Sequence, residues 1–220
     1  MSPGPSRFAG VDPLVAVDSW PVRHAAVAVV VEGSPTHARG DLDAVFELAS
    51  VTKLLTAMAV LVAHEEGSLS LDDPATAEGA SVADLLAHAG GIAPDEAVAM
   101  TAPRSRRIYS TAGYDIVADR VAAASGMTFP QYADAAVCAP LGMTATVMGA
   151  SAGADARGSA GDLVRLMGAW RAPLLVDQST LDRATSPHLG ELSGVLPGYG
   201  RQDPNPWGLG PELRGTKDPH

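Results

Sequence analysis

Across residues 45 to 67 the spacing of apolar side chains changes from that of a strand to that of a helix, and this switch constrains the fold most. Val45 to Leu48 reads as a strand closed by Ala49-Ser50. From Val51 onward, Leu54, Leu55, Met58, Leu61 and Val62 fall on one broad helical face, with Gly67 as the C-cap. A helix this apolar must be mostly buried, so other elements have to surround it. Upstream, the β-branched run Ala25 to Val31, followed by the turn-like Glu32-Gly33-Ser34-Pro35, marks another buried strand. Two strands therefore deliver the chain to Ser50.

The remaining signals are mostly helical. Residues 1 to 10 read as a disordered lead, and Asp12-Pro13 can start a short helix to about Trp20. Ser81-Val82-Ala83-Asp84 has the form of a capping box opening a short helix to about His88, and His88-Ala89-Gly90-Gly91 is a turn. Residues 92 to 108 are irregular, and Gly113 to Ser125 is a helix that Gly126 stops. Thr128-Phe129-Pro130-Gln131 caps another, which Pro140 is expected to terminate. Ser159-Ala160-Gly161-Asp162 starts a helix to Trp170, Ser179 to Ala184 adds a short one, and Trp207 to Leu213 alone suggests a return to strand. The expected class is α/β of the α+β type, an antiparallel sheet flanked by helices. A single domain over 1–220 is expected, with a sheet lobe near 24–53 and 195–214 and a mostly helical lobe inserted near 54–190.

Composition narrows the function. The chain has 220 residues, 46% of them hydrophobic but only 5% aromatic, so its core must be built from small aliphatic side chains over several helices. A net charge of −10 with no basic run beyond Arg104 to Arg107 argues against nucleic acid as a partner. Cys138 is the single cysteine, which excludes an intrachain disulfide and a cysteine-based zinc site. The six histidines show no metal-ligand spacing and no phosphate-binding glycine loop is present, so no cofactor is expected. The apolar runs Ala25 to Val31 and Leu54 to Ala63 are too short to span a bilayer, and no secretory signal opens the chain. The expectation is a cytoplasmic protein that does not engage membranes.

Ser50 and Lys53 stand three residues apart where the helix begins, which puts both side chains on one face of its first turn. A serine hydroxyl is a poor nucleophile until a base takes its proton. A lysine whose pKa is lowered by burial and by the positive end of a helix can serve as that base. With 16 serines and two lysines, such a spacing arises by chance about 0.15 times, so position has to carry the argument. One of two lysines in a chain that otherwise uses arginine lies between a strand and an apolar helix.

Phe46-Glu47-Leu48-Ala49-Ser50-Val51-Thr52-Lys53 resembles the active-site segment of the class C β-lactamase, DD-peptidase and carboxylesterase family. Similar segments follow in the family's order: Glu65-Glu66-Gly67 with Leu69 to Pro74, Asp84 to Gly91, and Tyr109-Ser110-Thr111-Ala112-Gly113-Tyr114. Pro140-Leu141-Gly142-Met143 and Trp207-Gly208-Leu209-Gly210 extend the likeness over roughly residues 24 to 214. The resemblance implies a β-lactamase/transpeptidase-like fold and a serine hydrolase acting on a small-molecule amide or ester, whether β-lactam, D-Ala peptide or carboxylic ester. Ser50 would be acylated, with Lys53 and Tyr109 as general bases and Thr111 as a substrate ligand. The family pattern is Tyr-x-Asn; threonine at 111 has one hydroxyl where an amide both donates and accepts. The segment around His88 resembles a structural turn of the family, where the imidazole braces the loop.

The same resemblance calls for a third motif, Lys-Thr-Gly or His-x-Gly, on a strand that supplies an oxyanion donor beside the nucleophile's own N–H. No such strand motif follows Tyr109, and Gly215-Thr216-Lys217 has the residue types in reverse order. The family's further strands and C-terminal helix are not seen before His220. The sequence thus suggests a shortened copy, impaired in turnover or serving as a binding or regulatory protein. It would be a monomer or self-associate weakly through an uncovered sheet edge.

Overall fold

The computed structural model describes residues 14–31 and 34–215. The anticipated disordered lead, the Asp12-Pro13 helix start and Thr216-Lys217 lie outside the described residues.

Among the described residues seven short strands form three small ladders. Strands β1 (Ala26–Val31) and β2 (Ser34–Gly40) make an antiparallel hairpin whose register shifts between Val29 and Val30. Strand β2 was not anticipated, since Ser34 to Gly40 is polar, contains proline and lacks alternation. It forms because β1 offers it a row of backbone partners. Gly40 is required there: its φ is +79° and a Cβ would fall 1.9 Å from the Ala25 carbonyl oxygen. The expected burial of β1 is not reached, as Ala26 to Val30 are half-buried and Val31 is exposed.

Helix α1 (Thr52–Glu65) is the centre of the core, with eleven of its fourteen residues buried. An apolar surface on nearly every side of a helix requires partners on nearly every side. These are α3 (Thr111–Ser125) and the helical run formed by α4 (Phe129–Ala133), a wider π-helical stretch at Asp134–Cys138, and α5 (Ala139–Leu141). Gly67 ends α1 as expected, with φ +76° and the Ser68 N–H bonded to the Ala63 carbonyl. The capping boxes at Ser81, which opens α2 (Val82–Leu86), and at Thr128 are both formed. Ser110 caps α3 through the Gly113 N–H, so that helix starts two residues before Gly113. Pro140 does not terminate its helix. It lies inside α5, and the turn ends at Gly142, whose φ is +66°.

Strand β3 (Val45–Glu47) pairs antiparallel with β5 (Arg157–Ser159), which brings the chain before Ser50 against the segment at 151–156. Strand β4 (Arg107–Ile108) runs parallel to β6 (Gly194–Leu196), which pairs antiparallel with β7 (Gly200–Gln202). The two-residue parallel pair of β4 with β6 is the exception among otherwise antiparallel ladders. A strand over Trp207 to Leu213 does not form. A single pairing of Trp207 with Glu212 stands there, and the Trp207 indole is turned inward to bond the Gly210 carbonyl at 3.0 Å. A short 3-10 helix over Val15–Ser19 stands within the stretch expected to be helical to about Trp20, and helices α6 (Ala160–Arg171) and α7 (Gln178–Ala184) complete the described elements. Among the described residues no helix is long and apolar enough to cross a membrane.

Candidate active site

Ser50 sits in a tight helical turn, Ala49–Val51, that leads directly into α1, so its N–H is at the electropositive end of a fourteen-residue helix. Ala49 takes a left-handed backbone with φ +44°, a strained geometry for a residue with a Cβ, and it directs Ser50 outward. Ser50 is exposed while Thr52 and Lys53 are buried.

The Lys53 ammonium makes three bonds: to Ser50 Oγ at 3.3 Å, to Thr111 Oγ1 at 3.2 Å and to the Gly153 carbonyl at 2.8 Å. It also lies 4.6 Å from the centre of the Tyr109 ring and 5.6 Å from that of Tyr114. Burial pulls its pKa down to about 8, and the negative charges of Asp115 and Asp95 oppose that shift. The Tyr109 ring faces the Lys53 ammonium on the side of Ser50. Burial raises its phenol above the ordinary value, the neighbouring Ser50 hydroxyl works against the rise and Glu212 adds to it. All four residues marked out by the sequence thus meet around Lys53: Ser50 and Thr111 by hydrogen bonds and Tyr109 through its ring.

His88 stands behind this cluster. Its Nδ1 accepts from the Ser110 N–H at 3.1 Å, and its ring lies 4.5 Å from Tyr109 and 4.9 Å from Trp207, centre to centre. Burial, then the charges of Lys53 and Arg107, push its pKa well below the ordinary value, so it is a neutral spacer. Its left-handed backbone, φ +57°, makes the turn at 88–91. Below it, buried Arg107 donates to the carbonyls of Ala87, His188, Leu189 and Asn205. That bracing fixes β4 and hence Tyr109 two residues on.

Two parts of the arrangement were not read from the sequence. Gly153 reaches Lys53 from 100 positions away, and a backbone carbonyl has no residue-type signal. His188-Leu189-Gly190 has the letters of a His-x-Gly motif but lies in a turn. The His188 Nε2 is 3.1 Å from buried Asp84, away from the cluster, so it does not supply the expected strand donor.

A cavity of about 500 Å³ opens beside Tyr109 and Thr111, with Pro94, Ile108 and Val195 among its walls. A second cleft of about 340 Å³, lined by Glu47, Ala49, Ala154 and Arg157, adjoins the Ala49–Val51 turn. No group of acidic, histidine or cysteine side chains among the described residues could hold a metal ion.

A mixed α/β fold with a Ser-x-x-Lys cluster at the start of a buried helix defines a class of protein, and comparison with known proteins places the chain within it. The β-lactamase family model matches residues 14–210. The chain belongs to the β-lactamase family. A crystal structure of a β-lactamase from Mycobacterium bovis is 42% identical, with a TM-score of 0.92 over 94% of this chain and 77% of that one. The octameric penicillin-binding protein homologue from Pyrococcus abyssi shares the fold at 19% identity and TM-score 0.71, over 84% of this chain and 59% of its own. A D-amino acid amidase from Ochrobactrum anthropi does so at 20% identity and TM-score 0.66, over 73% and 68%. No curated protein matches the chain.

Proposed function

We propose that the protein hydrolyses a small amide or ester through an acyl-enzyme on Ser50. The observation that carries this reading is the bond from a buried lysine, pKa about 8, to the hydroxyl of an exposed serine. In its free-base form Lys53 takes the Ser50 proton as Oγ bonds to the substrate carbonyl carbon and the carbonyl electrons move to oxygen. Their return expels the leaving atom, which takes a proton through Tyr109. Water, losing its proton to the same pair, then bonds to the acyl carbon, and the pair passes that proton to Ser50 Oγ as the ester C–O bond breaks, which restores Ser50. The raised phenol of Tyr109 favours a protonated shuttle over a resting base, so Lys53 is the primary base. Thr111 can accept from Lys53 and still offer its own hydroxyl hydrogen to the substrate.

Labelling with a fluorophosphonate or a fluorescent penicillin tests the assignment: Ser50→Ala should remove it, and equal labelling of both proteins would refute the nucleophile. Threonine in place of the family's asparagine favours a second reading, an impaired relative that binds without turnover. Hydrolysis of nitrocefin or p-nitrophenyl acetate that Lys53→Ala abolishes would exclude it. A cytoplasmic location and weak self-association through the sheet edge belong to the proposal, to be checked by fractionation and by size-exclusion chromatography.

A further inference from the structure

The general base of the proposed reaction is held by a turn that is itself tied down from outside the cluster. Gly153, whose carbonyl accepts from Lys53, follows Ser151 and Ala152. The Asp115 carboxylate accepts from the Ala152 N–H at 2.8 Å and from the Ser151 hydroxyl at 2.9 Å. The Ala152 carbonyl in turn accepts from the Thr56 hydroxyl at 2.6 Å, and the Gly153 N–H bonds Ser151 Oγ at 3.2 Å. Asp115 lies four residues after Thr111 on α3, so one helical face presents Thr111 to the lysine and Asp115 to the turn. Fixing this face fixes two of the three acceptors of the Lys53 ammonium.

We infer that Asp115 is a positioning residue for Lys53, holding the 151–153 turn so that the Gly153 carbonyl grips the ammonium beside Ser50. The inference rests on the proposed role of Lys53. The carboxylate also acts through space. The titratable groups around Lys53 are Tyr109, Tyr114, neutral His88, and the carboxylates of Asp95 and Asp115. Of the two acids, Asp115 does more to offset the effect of burial. It keeps the lysine from becoming too weak a base.

Two variants of the full chain separate orientation from charge. Asp115→Asn removes the charge and leaves one amide oxygen as a weaker, neutral acceptor for Ser151 and Ala152, and Ser151→Ala removes both bonds of the Ser151 hydroxyl and keeps the charge. With p-nitrophenyl acetate, Asp115→Asn should lower the plateau rate about tenfold and move the acid limb of kcat/KM to lower pH by roughly half a unit or more. Ser151→Ala should lower the plateau without moving the limb. An unshifted limb and unchanged plateau in Asp115→Asn, or the same limb shift in both variants, would overturn the inference. The chain has two lysines, so a ¹³Cε titration of labelled lysine reads the Lys53 pKa without turnover. If the wild type proves inactive but Asp115→Asn still lowers that pKa, the hydrolase reading fails and the contact stands. If the pKa does not move, the contact fails.

Discussion

Replacing Lys53 with methionine should make the protein's stability respond to pH in a defined way. Lys53 is only 3% exposed, and its pKa is about 8 in the fold against an ordinary 10.5. At 1.36 kcal/mol per pKa unit that gap corresponds to about 3 kcal/mol. Water reaching the ammonium past exposed Ser50 screens part of it, leaving about 2 kcal/mol. Below pH 8 folded and unfolded chains are both protonated, so the full penalty of burying the charge is felt. Between 8 and 10.5 the unfolded chain binds a proton that the folded chain has released, so unfolding becomes harder as pH rises. Lys53→Met abolishes this titration. It also strips the Gly153 carbonyl of its donor, at a pH-independent cost of about 1–3 kcal/mol. The informative quantity is therefore the slope. In urea unfolding series, the stability of Lys53→Met relative to wild type should fall by about 2 kcal/mol from pH 7 to pH 10. A difference that stays flat across that range would show that the lysine is not a buried, weakened base.

Three further outcomes follow from the geometry. Tyr109→Phe should reduce turnover about 10²–10⁴-fold while leaving the ¹³Cε titration of Lys53 in place; stopped-flow acylation of Ser50 measures the first. Gly153→Ala should cost about 1–3 kcal/mol in urea unfolding, because the new Cβ would meet Thr111 Cγ2 at 2.7 Å and the Thr111 carbonyl oxygen at 3.0 Å. Asp84→Asn should lower stability at neutral pH by about 2 kcal/mol. Burial pushes the Asp84 carboxyl up, but bonds from His188, Arg104 and Ser81 outweigh it and hold the group well below the usual range. That contribution is present above the ordinary carboxylate pKa and is lost as pH falls through the lowered folded value, so denaturation at pH 7 reads it best.

How much could be read in advance depended on whether side chains or backbone carried the information. Helix α1 and the capping boxes at Ser81 and Thr128 were legible because periodicity and cap chemistry are written in residue types. The positions of Ser50, Lys53, Tyr109 and Thr111 were legible through the resemblance of ordered segments, since spacing joins only Ser50 to Lys53. Strand β2 was not, because Ser34 to Gly40 has no strand pattern of its own and is recruited by the open backbone of β1. The short β6 and β7 were not read as individual strands, although 195–214 was expected to belong to the sheet lobe. Each is three residues long, below the length at which alternation can be recognised. Pro140 misled because the widened turn ahead of it lets a helix continue through a residue that usually ends one.

Burial acts on two bases in this site and leaves them different work. His88 and Lys53 flank the same Tyr109 ring, and burial lowers the pKa of both. The imidazole spends its Nδ1 lone pair on the Ser110 N–H, so it has no route to Ser50 through that nitrogen. The ammonium reaches Ser50 directly. A histidine base would give an activity that rises through pH 6 to 7, the range of the unperturbed imidazole. A lysine base would give one that rises near pH 8. An acid limb near 8 that survives His88→Asn would therefore identify Lys53 as the titrating group. A limb near 6.5 that vanishes in His88→Asn would transfer the role to the imidazole and require a different path for the Ser50 proton.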